Sequence, residues 1–384
     1  MNLLDGIVVL DFSQYLAGPV SALRLADLGA RVIKIERPGK GDGSRRLTLS
    51  NLRVDGESTV FQCMNRNKES YAADLKNPDD LEKVRRLVQR ADVMIENFRP
   101  GTMEKLGLDY DSVKQLNPGI IYGSITGYGA DGPWKNKPGQ DLLVQAMSGL
   151  AWLNGNRDQP PLPFGLAVID LHTSSMFVQA ILALLYQRNT TGKGGYVEIS
   201  LMEAALDFQF EVLSAYLNSE TPQLPARSEV HNAHAYLGAP YGIYQTKDGH
   251  LALAMGSIVE LGNLLQCDEL SAFSDEKSWF ERRDEIKRIL VRHLKTKTTR
   301  EWLDMLEPAD YWCAEVMDWE QALNHEGIKT LDMFQEVMRS SGAIFKTTRY
   351  PVRINGQVLK HAKGAPNVGE DTEQINRSFQ IGNS

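Results

Sequence analysis

The side chain best placed for chemistry is Asp170. It closes the apolar run of PFGLAVIDLHTSSM (163–176), just ahead of a stretch with helical spacing. Two roles fit an aspartate there. As an N-cap its oxygen would accept from the first free N–H groups of a helix, worth about 1 kcal/mol. As an ionised carboxylate facing a ligand it would be a nucleophile, and a helix N-terminus would help to hold that charge. A second group of residues could hold phosphate. Arg37 follows the strand-like RVIKIE, where Rossmann-like sheets meet a ribose, and its fork of donors suits a phosphate on that sugar. Asn97, Phe98 and Arg99 end another strand, and a Pro-Gly turn leads on to Lys105. An aromatic edge, an amide and two cations could hold an adenine and its phosphates. Lys68 and Lys76 add charge near further strand ends, and ITGYGADGP (125–133) is a glycine-rich loop that could close on a ligand. Taken singly, each also reads as a solvated charge or a mobile turn.

The elements that would position these residues alternate. GIVVLDF (6–12) and RVIKIE (31–36) read as buried strands joined by the helically spaced GPVSALRLADLGA, a βαβ unit whose strands run parallel. YAADL, ADVMIENF and GIIYGSITGYG continue the series with helical stretches such as PDDLEKVRRLVQR between them. The fold class is therefore α/β with an open parallel sheet. Ligands bind such sheets at the carboxyl ends of the strands, which makes the first turn, FSQYLAGPVSA, a candidate site. It lacks the G-x-G-x-x-G spacing, and Pro19 falls at an expected first helical position, so no nicotinamide dinucleotide is expected. After Asp170 a helix should run to Gly192, followed by the strand YVEIS and one long helix, LMEAALDFQFEVLSAYLN. The pattern changes near 220, with the turn-rich PQLPARSEVHNAHAYLGAP and a hairpin in YGIYQTKDGHLALAM. A charged helical region from 275 to 306 carries Ile286, Ile289, Leu290 and Leu294 on one face.

Composition bounds the partners. A chain of 384 residues suggests two domains, and 42% hydrophobic with 24% charged residues is globular. A net charge of -7 disfavours a general nucleic-acid binder yet allows a local basic pocket. Cys63, Cys267 and Cys313 make no CxxC pair, which suits a reducing compartment and gives no metal site. No signal peptide is read in MNLLDGIVVLDF, and no apolar stretch approaches the ~20 residues of a membrane helix. A cytoplasmic protein with no nucleic acid and no membrane partner is expected.

Taken in order, GIVVLDFSQYLAGP, LADLGARVIKIERPGKGD, NRNKES with DLKN, ADVMIENFRPGTMEKLGLDY, GYGADGP, AVIDL, RNTTGKGGYVEISLMEAAL and PYGIYQTKDGHLALAMG resemble the class III CoA-transferases. This CaiB/BaiF family includes formyl-CoA transferase, carnitine CoA-transferase and α-methylacyl-CoA racemase. Coenzyme A carries the 3′-phosphate that Arg37 would suit. The resemblance implies a large Rossmann-like domain over 1–220, completed by about 326–384, and a smaller α+β domain over 225–325. It also implies an interlocked homodimer, acyl-CoA and a carboxylic acid as substrates, and no permanently bound cofactor. Asp170 falls on the family's catalytic aspartate, which exchanges CoA through anhydride and aspartyl-CoA thioester intermediates. The family's CoA contacts carry over to Gln14, Leu16, Ala17, Arg37, Ala73, Lys76, Asn97, Phe98, Arg99, Thr102 and Lys105. Gln140, Asp141 and Gly238 carry over as substrate or support residues.

Two departures shape the expected reaction. Leu16 stands where formyl-CoA transferase has a glutamine, and NAHAYLGAP replaces its run of glycines. That argues against oxalate and for an apolar or bulkier acyl group. Gln140 takes the place of the histidine of the family's racemases, and a glutamine cannot act as the base, so racemisation at the α-carbon is the weaker alternative. His172, two residues beyond Asp170, should point to another face of the helix. His231 and His234 should be polar loop residues.

Overall fold

Six short strands form one sheet: β1 (Val8–Asp11), β2 (Arg31–Glu36), β3 (Glu69–Ala72), β4 (Val93–Glu96), β5 (Ile121–Thr126) and β6 (Gly195–Ser200). The computed structural model describes residues 2–220 and 226–381. In space the strands follow the order β3-β2-β1-β4-β5-β6, and each neighbouring pair is parallel. β4 and β5 are buried at every position, as strands covered on both faces must be. The chain order reverses between β1 and β4. That reversal opens a crevice at the carboxyl ends of the central strands.

The helices that matter for the site are α1 (Ala17–Asp27), α2 (Pro78–Val88), α3 (Thr102–Leu106), α4 (Asp141–Met147), α5 (Val168–Thr191) and α6 (Leu201–Asp207). α2 starts where Asn77 accepts from Asp79 N at 2.9 Å, and it buries Val84, Leu87 and Val88 against Leu10, Ile33 and Met94. Pro19 is the third residue of α1 rather than its first. The position is still harmless, because the first-turn N–H groups of a helix have no partner within it. α5 ends at Gly192, whose φ of +69° is the left-handed cap that glycine adopts most readily.

The chain divides into two compact units. One comprises Met1–Val144, Ala167–Phe208 and Leu331–Ser384 and holds the sheet; the other comprises Gln145–Leu166 and Gln209–Thr330. The second unit is built on the antiparallel strands β7 (Gly242–Gln245), β8 (His250–Leu253) and β9 (Cys313–Glu315). Its core includes Tyr244, Leu251, Ile286, Leu290 and Trp302. These limits differ from the boundaries expected from the sequence, and the expected junction between 220 and 225 lies outside the described residues. Segment 145–166 joins the second unit because its backbone is bound there. Arg157 N donates to Ser228 O at 2.9 Å, and Arg227 Nη2 donates to Gln159 O at 2.8 Å.

Two further expectations change. The single helix foreseen over 201–218 is two: α6 begins with a Ser200–Glu203 capping box, and α7 (Phe210–Leu217) belongs to the second unit. The break falls at Gln209, whose buried side chain donates to Ser148 O in that unit. The other concerns α5, which spans 24 residues and starts at Val168, ahead of Asp170. Its most apolar 18-residue window has a mean hydropathy of 1.6, so by length and composition it is long and apolar enough to cross a membrane, contrary to expectation. Its Ile169, Phe177, Ile181 and Leu185 are buried, while Leu171, Met176 and Tyr186 are exposed.

Candidate active site

The crevice at the strand ends holds a cavity of about 420 Å³. Residues directly following β1, β2, β3 and β4 line it, including Phe12, Ser13, Gln14, Arg37, Ala73, Lys76 and Phe98; Thr102 and Lys105 of α3 complete one side. Seven of the expected CoA contacts are therefore gathered: Gln14, Arg37, Ala73, Lys76, Phe98, Thr102 and Lys105. Arg37, Lys76 and Lys105 are solvent-exposed, so three cations surround a largely apolar hollow.

Four expected contacts lie elsewhere. Leu16 packs against Val20, Val60 and Met64. Ala17 begins α1 and gives its carbonyl to Ser174 Oγ at 2.7 Å. Asn97 clamps the first turn, accepting from Gln14 N and donating to Gln14 O, both at 2.8 Å. Arg99 lines a separate cavity of about 290 Å³ with Glu96, Glu104 and Glu198. Glu36, at the ribose position of Rossmann-like sheets, lines the cavity but is engaged by its neighbours. Its two oxygens accept from Asp42 N, Arg45 and Ser70 Oγ. Lys68 is not a pocket cation either, for it is fully buried on Asp11, Pro19 O and Asn65.

Asp170 is the third residue of α5 and half-buried. It is not the cap. The N-cap position is Ala167, and the capping oxygen comes from Asp141, whose Oδ2 accepts from Ile169 N at 2.8 Å and Asp170 N at 3.1 Å. A buried carboxylate thus occupies the positive end of the helix that was expected to stabilise Asp170. Burial first, and the like charge of Asp141 second, push the Asp170 carboxyl up to about 7. One turn on, Ser174 Oγ is within hydrogen-bond distance of both Asp170 O and Ala17 O, which fastens α5 to the turn bordering the cavity.

Gln140 is exposed ahead of α4. Gly238 lies in the second unit, where a Cβ would stand 2.7 Å from Trp279 O. His172 Nε2 is 3.0 Å from Asp207 Oδ2, joining α5 to α6. His234 Nδ1 accepts from Tyr236 N, and His231 O accepts from Lys287. Among the described residues no three His, Cys, Asp or Glu side chains gather as metal ligands.

Asp170 does not itself line the cavity and is tied to its border only through Ser174, so comparison decides the family. Residues 4–372 match the family described as CoA-transferase family III. The chain belongs to CoA-transferase family III. It is 32% identical to acetyl-CoA:oxalate CoA-transferase of Acetobacter aceti, over 98% of this chain and 95% of that one. It is 31% identical to succinyl-CoA:glutarate CoA-transferase of Mus musculus, over 98% and 86%. A crystal structure of a CaiB/BaiF family protein from Brucella suis superposes with a TM-score of 0.83 at 32% identity, covering 98% of this chain and 99% of that one. The crystal structure of an aspartate-to-alanine mutant of Rv3272 from Mycobacterium tuberculosis gives 0.84 at 29% identity, with 99% of each chain covered. This CoA-transferase also lines its cavity with Lys34, Asp42 and Leu75, which sequence reasoning missed. Lys34 was hidden inside a strand and Asp42 inside a loop. A charge inside a strand buried on both faces is the signal that could have marked the lysine as unusual.

Proposed function

We propose that this enzyme transfers CoA from an acyl-CoA thioester to a carboxylic acid, with Asp170 as the covalent carrier. The ionised Asp170 attacks the thioester carbonyl, the C–S bond breaks, and CoA thiolate leaves an acyl-aspartyl anhydride. The thiolate then attacks the aspartyl carbonyl, releasing the donor acid and leaving an aspartyl-CoA thioester. The acceptor carboxylate attacks that thioester and expels the thiolate. Finally the thiolate attacks the acceptor's carbonyl, forming the new acyl-CoA and restoring Asp170.

The observation that supports this reading is the half-buried Asp170, crowded by Asp141 and fastened through Ser174 to the turn beside the cavity. Acylation removes the Asp170 charge, so the burial that raises its pKa favours the covalent state over the free carboxylate. In the cavity, Phe98 would face the adenine, and Arg37, Lys76 and Lys105 the phosphates. CoA is then substrate rather than resident cofactor. The relatives' names include oxalate and glutarate. Oxalate and glutarate are therefore the two acceptors to test first. A homodimer of interlocked chains belongs to the same proposal, supported by the exposed Tyr186, Phe210, Leu217, Trp312 and Trp319.

The test is an assay with succinyl-CoA and a panel of carboxylic acids, following each new acyl-CoA. Formation of a new thioester with ping-pong kinetics is expected. Exchange of the α-proton without any transfer would overturn the proposal in favour of racemisation.

A further inference from the structure

The turn between β1 and α1 has no secondary structure of its own, yet its backbone is held almost group by group. Ser13 N donates to Asp11 Oδ1 at 3.0 Å, and Ser13 O accepts from Lys34 Nζ at 2.7 Å. Gln14 is clamped by Asn97 on both its N–H and its carbonyl. Tyr15 N donates to Asp42 Oδ1 at 3.1 Å, and the same oxygen accepts from Ser44 N at 2.8 Å. Two residues later Ala17 O takes Ser174 Oγ, one turn beyond Asp170.

This holding is needed because Tyr15 sits at φ +68°, in the left-handed region that a residue with a side chain occupies only when its surroundings impose it. Its ring rests over Gly43, where a Cβ would come within 2.7 Å of it, so the Asp42–Ser44 segment fixes Tyr15 from both backbone and ring. Lys34 joins the supports. Its ammonium lies 2.9 Å from Asp42 Oδ2 and 3.6 Å from Asp11 Oδ2, and all three groups are buried. Asp11 is held in turn by Lys68 Nζ at 2.8 Å. The paired cations keep these buried acids ionised: burial alone would raise the Asp11 carboxyl, but Lys34 and Lys68 hold it at about 2.

We propose that Lys34, acting through Asp42 and Ser13, is a positioning residue that sets the 13–17 turn relative to Asp170, and thereby places the thioester end of acyl-CoA for attack. The proposal rests on the reading of the strand-end cavity as the CoA site. Lys34 need not touch the acyl group; its effect reaches the reaction through the backbone of the turn. The nucleotide end of CoA would be held chiefly by the exposed Arg37, Lys76 and Lys105 with Phe98, while Lys34 and Asp42 line the same cavity from within the sheet.

The two ends can therefore be separated by experiment. Adenosine 3′,5′-bisphosphate carries the nucleotide end and no thioester, so its binding by calorimetry reports the cavity alone. For Lys34→Met, a side chain of similar length without the charge, kcat should fall on the order of 100-fold, the scale of a small misplacement of reacting groups. Because Lys34 also lines the cavity, the variant's dissociation constant for the bisphosphate should rise, but by no more than about tenfold and so by much less than kcat falls. Asp42→Asn keeps an oxygen for Tyr15 N and Ser44 N, and should retain more kcat than Asp42→Ala. That pair carries the test if Lys34→Met fails to fold. Unchanged kcat in folded Lys34→Met, or equal kcat for the two Asp42 variants, would overturn the proposal. Parallel loss of bisphosphate affinity and kcat would also overturn it. Failure of the wild type to bind the bisphosphate would instead reject the cavity as the CoA site.

Discussion

Asp170 and Asp141 set the pH behaviour at the scale of single residues. With its carboxyl raised to about 7, Asp170 is incompletely ionised at neutrality, so kcat/KM should rise with pH through about 7. Asp141→Asn keeps an oxygen for Ile169 N and Asp170 N but removes the like charge. Its pH–rate profile should have its midpoint displaced toward acid, by less than the full shift because burial is the larger cause. Stability moves the other way. Unfolded, Asp170 ionises near its ordinary 3.8, whereas folded it keeps its proton to about 7, so the native state loses stability as pH rises between those values. The loss is on the order of 4 kcal/mol. Asp170→Asn should therefore melt above wild type at pH 8 and close to it at pH 4, as scanning calorimetry would show. A wild-type melting point that leads at pH 8 would mean that Asp170 is not held in this way.

At the scale of elements, the cavity is made by strand ends and the nucleophile by a helix start, and the two can be perturbed separately. Lys76→Ala or Arg37→Ala should raise KM for acyl-CoA about tenfold with kcat nearly unchanged, the signature of lost uniform binding. In β5, a Cβ on Gly123 would lie 2.4 Å from the Phe177 ring of α5. Gly123→Ala should thus push α5 from the sheet, costing about 1–3 kcal/mol in denaturant unfolding. The central strands were legible because β1, β4 and β5 are short runs buried at nearly every position, and RVIKIE became β2 residue for residue. The break at Gln209 was not, because the sequence from 201 to 218 keeps helical spacing and only a partner 61 residues away explains it. Asp141 as the cap of α5 was hidden for the same reason, its partner lying 29 residues on. Charge alone misled at Lys68: the side chain is ordinary in sequence and buried in the fold, where Asp11 neutralises it.

For the whole molecule, the open question of assembly follows from what the chain leaves uncovered. Trp319 is 86% exposed, Tyr186 77% and Leu217 74%, far more than large apolar side chains need to be. A homodimer would cover such surface. Sedimentation should give twice the chain mass with no monomer appearing on dilution, since interlocked chains cannot separate without unfolding. A monomer in rapid exchange would contradict interlocking. The division into two units was only partly legible, because 145–166 carries no composition of its own and is assigned by its bonds to Ser228 and Arg227.

The most direct measurement is the intact mass of the protein after incubation with succinyl-CoA, for wild type and Asp170→Ala. A covalent adduct of the mass of CoA less water is expected on the wild type and not on the variant. The same adduct on Asp170→Ala, or transfer by the variant at the wild-type rate, would contradict Asp170 as the carrier of CoA.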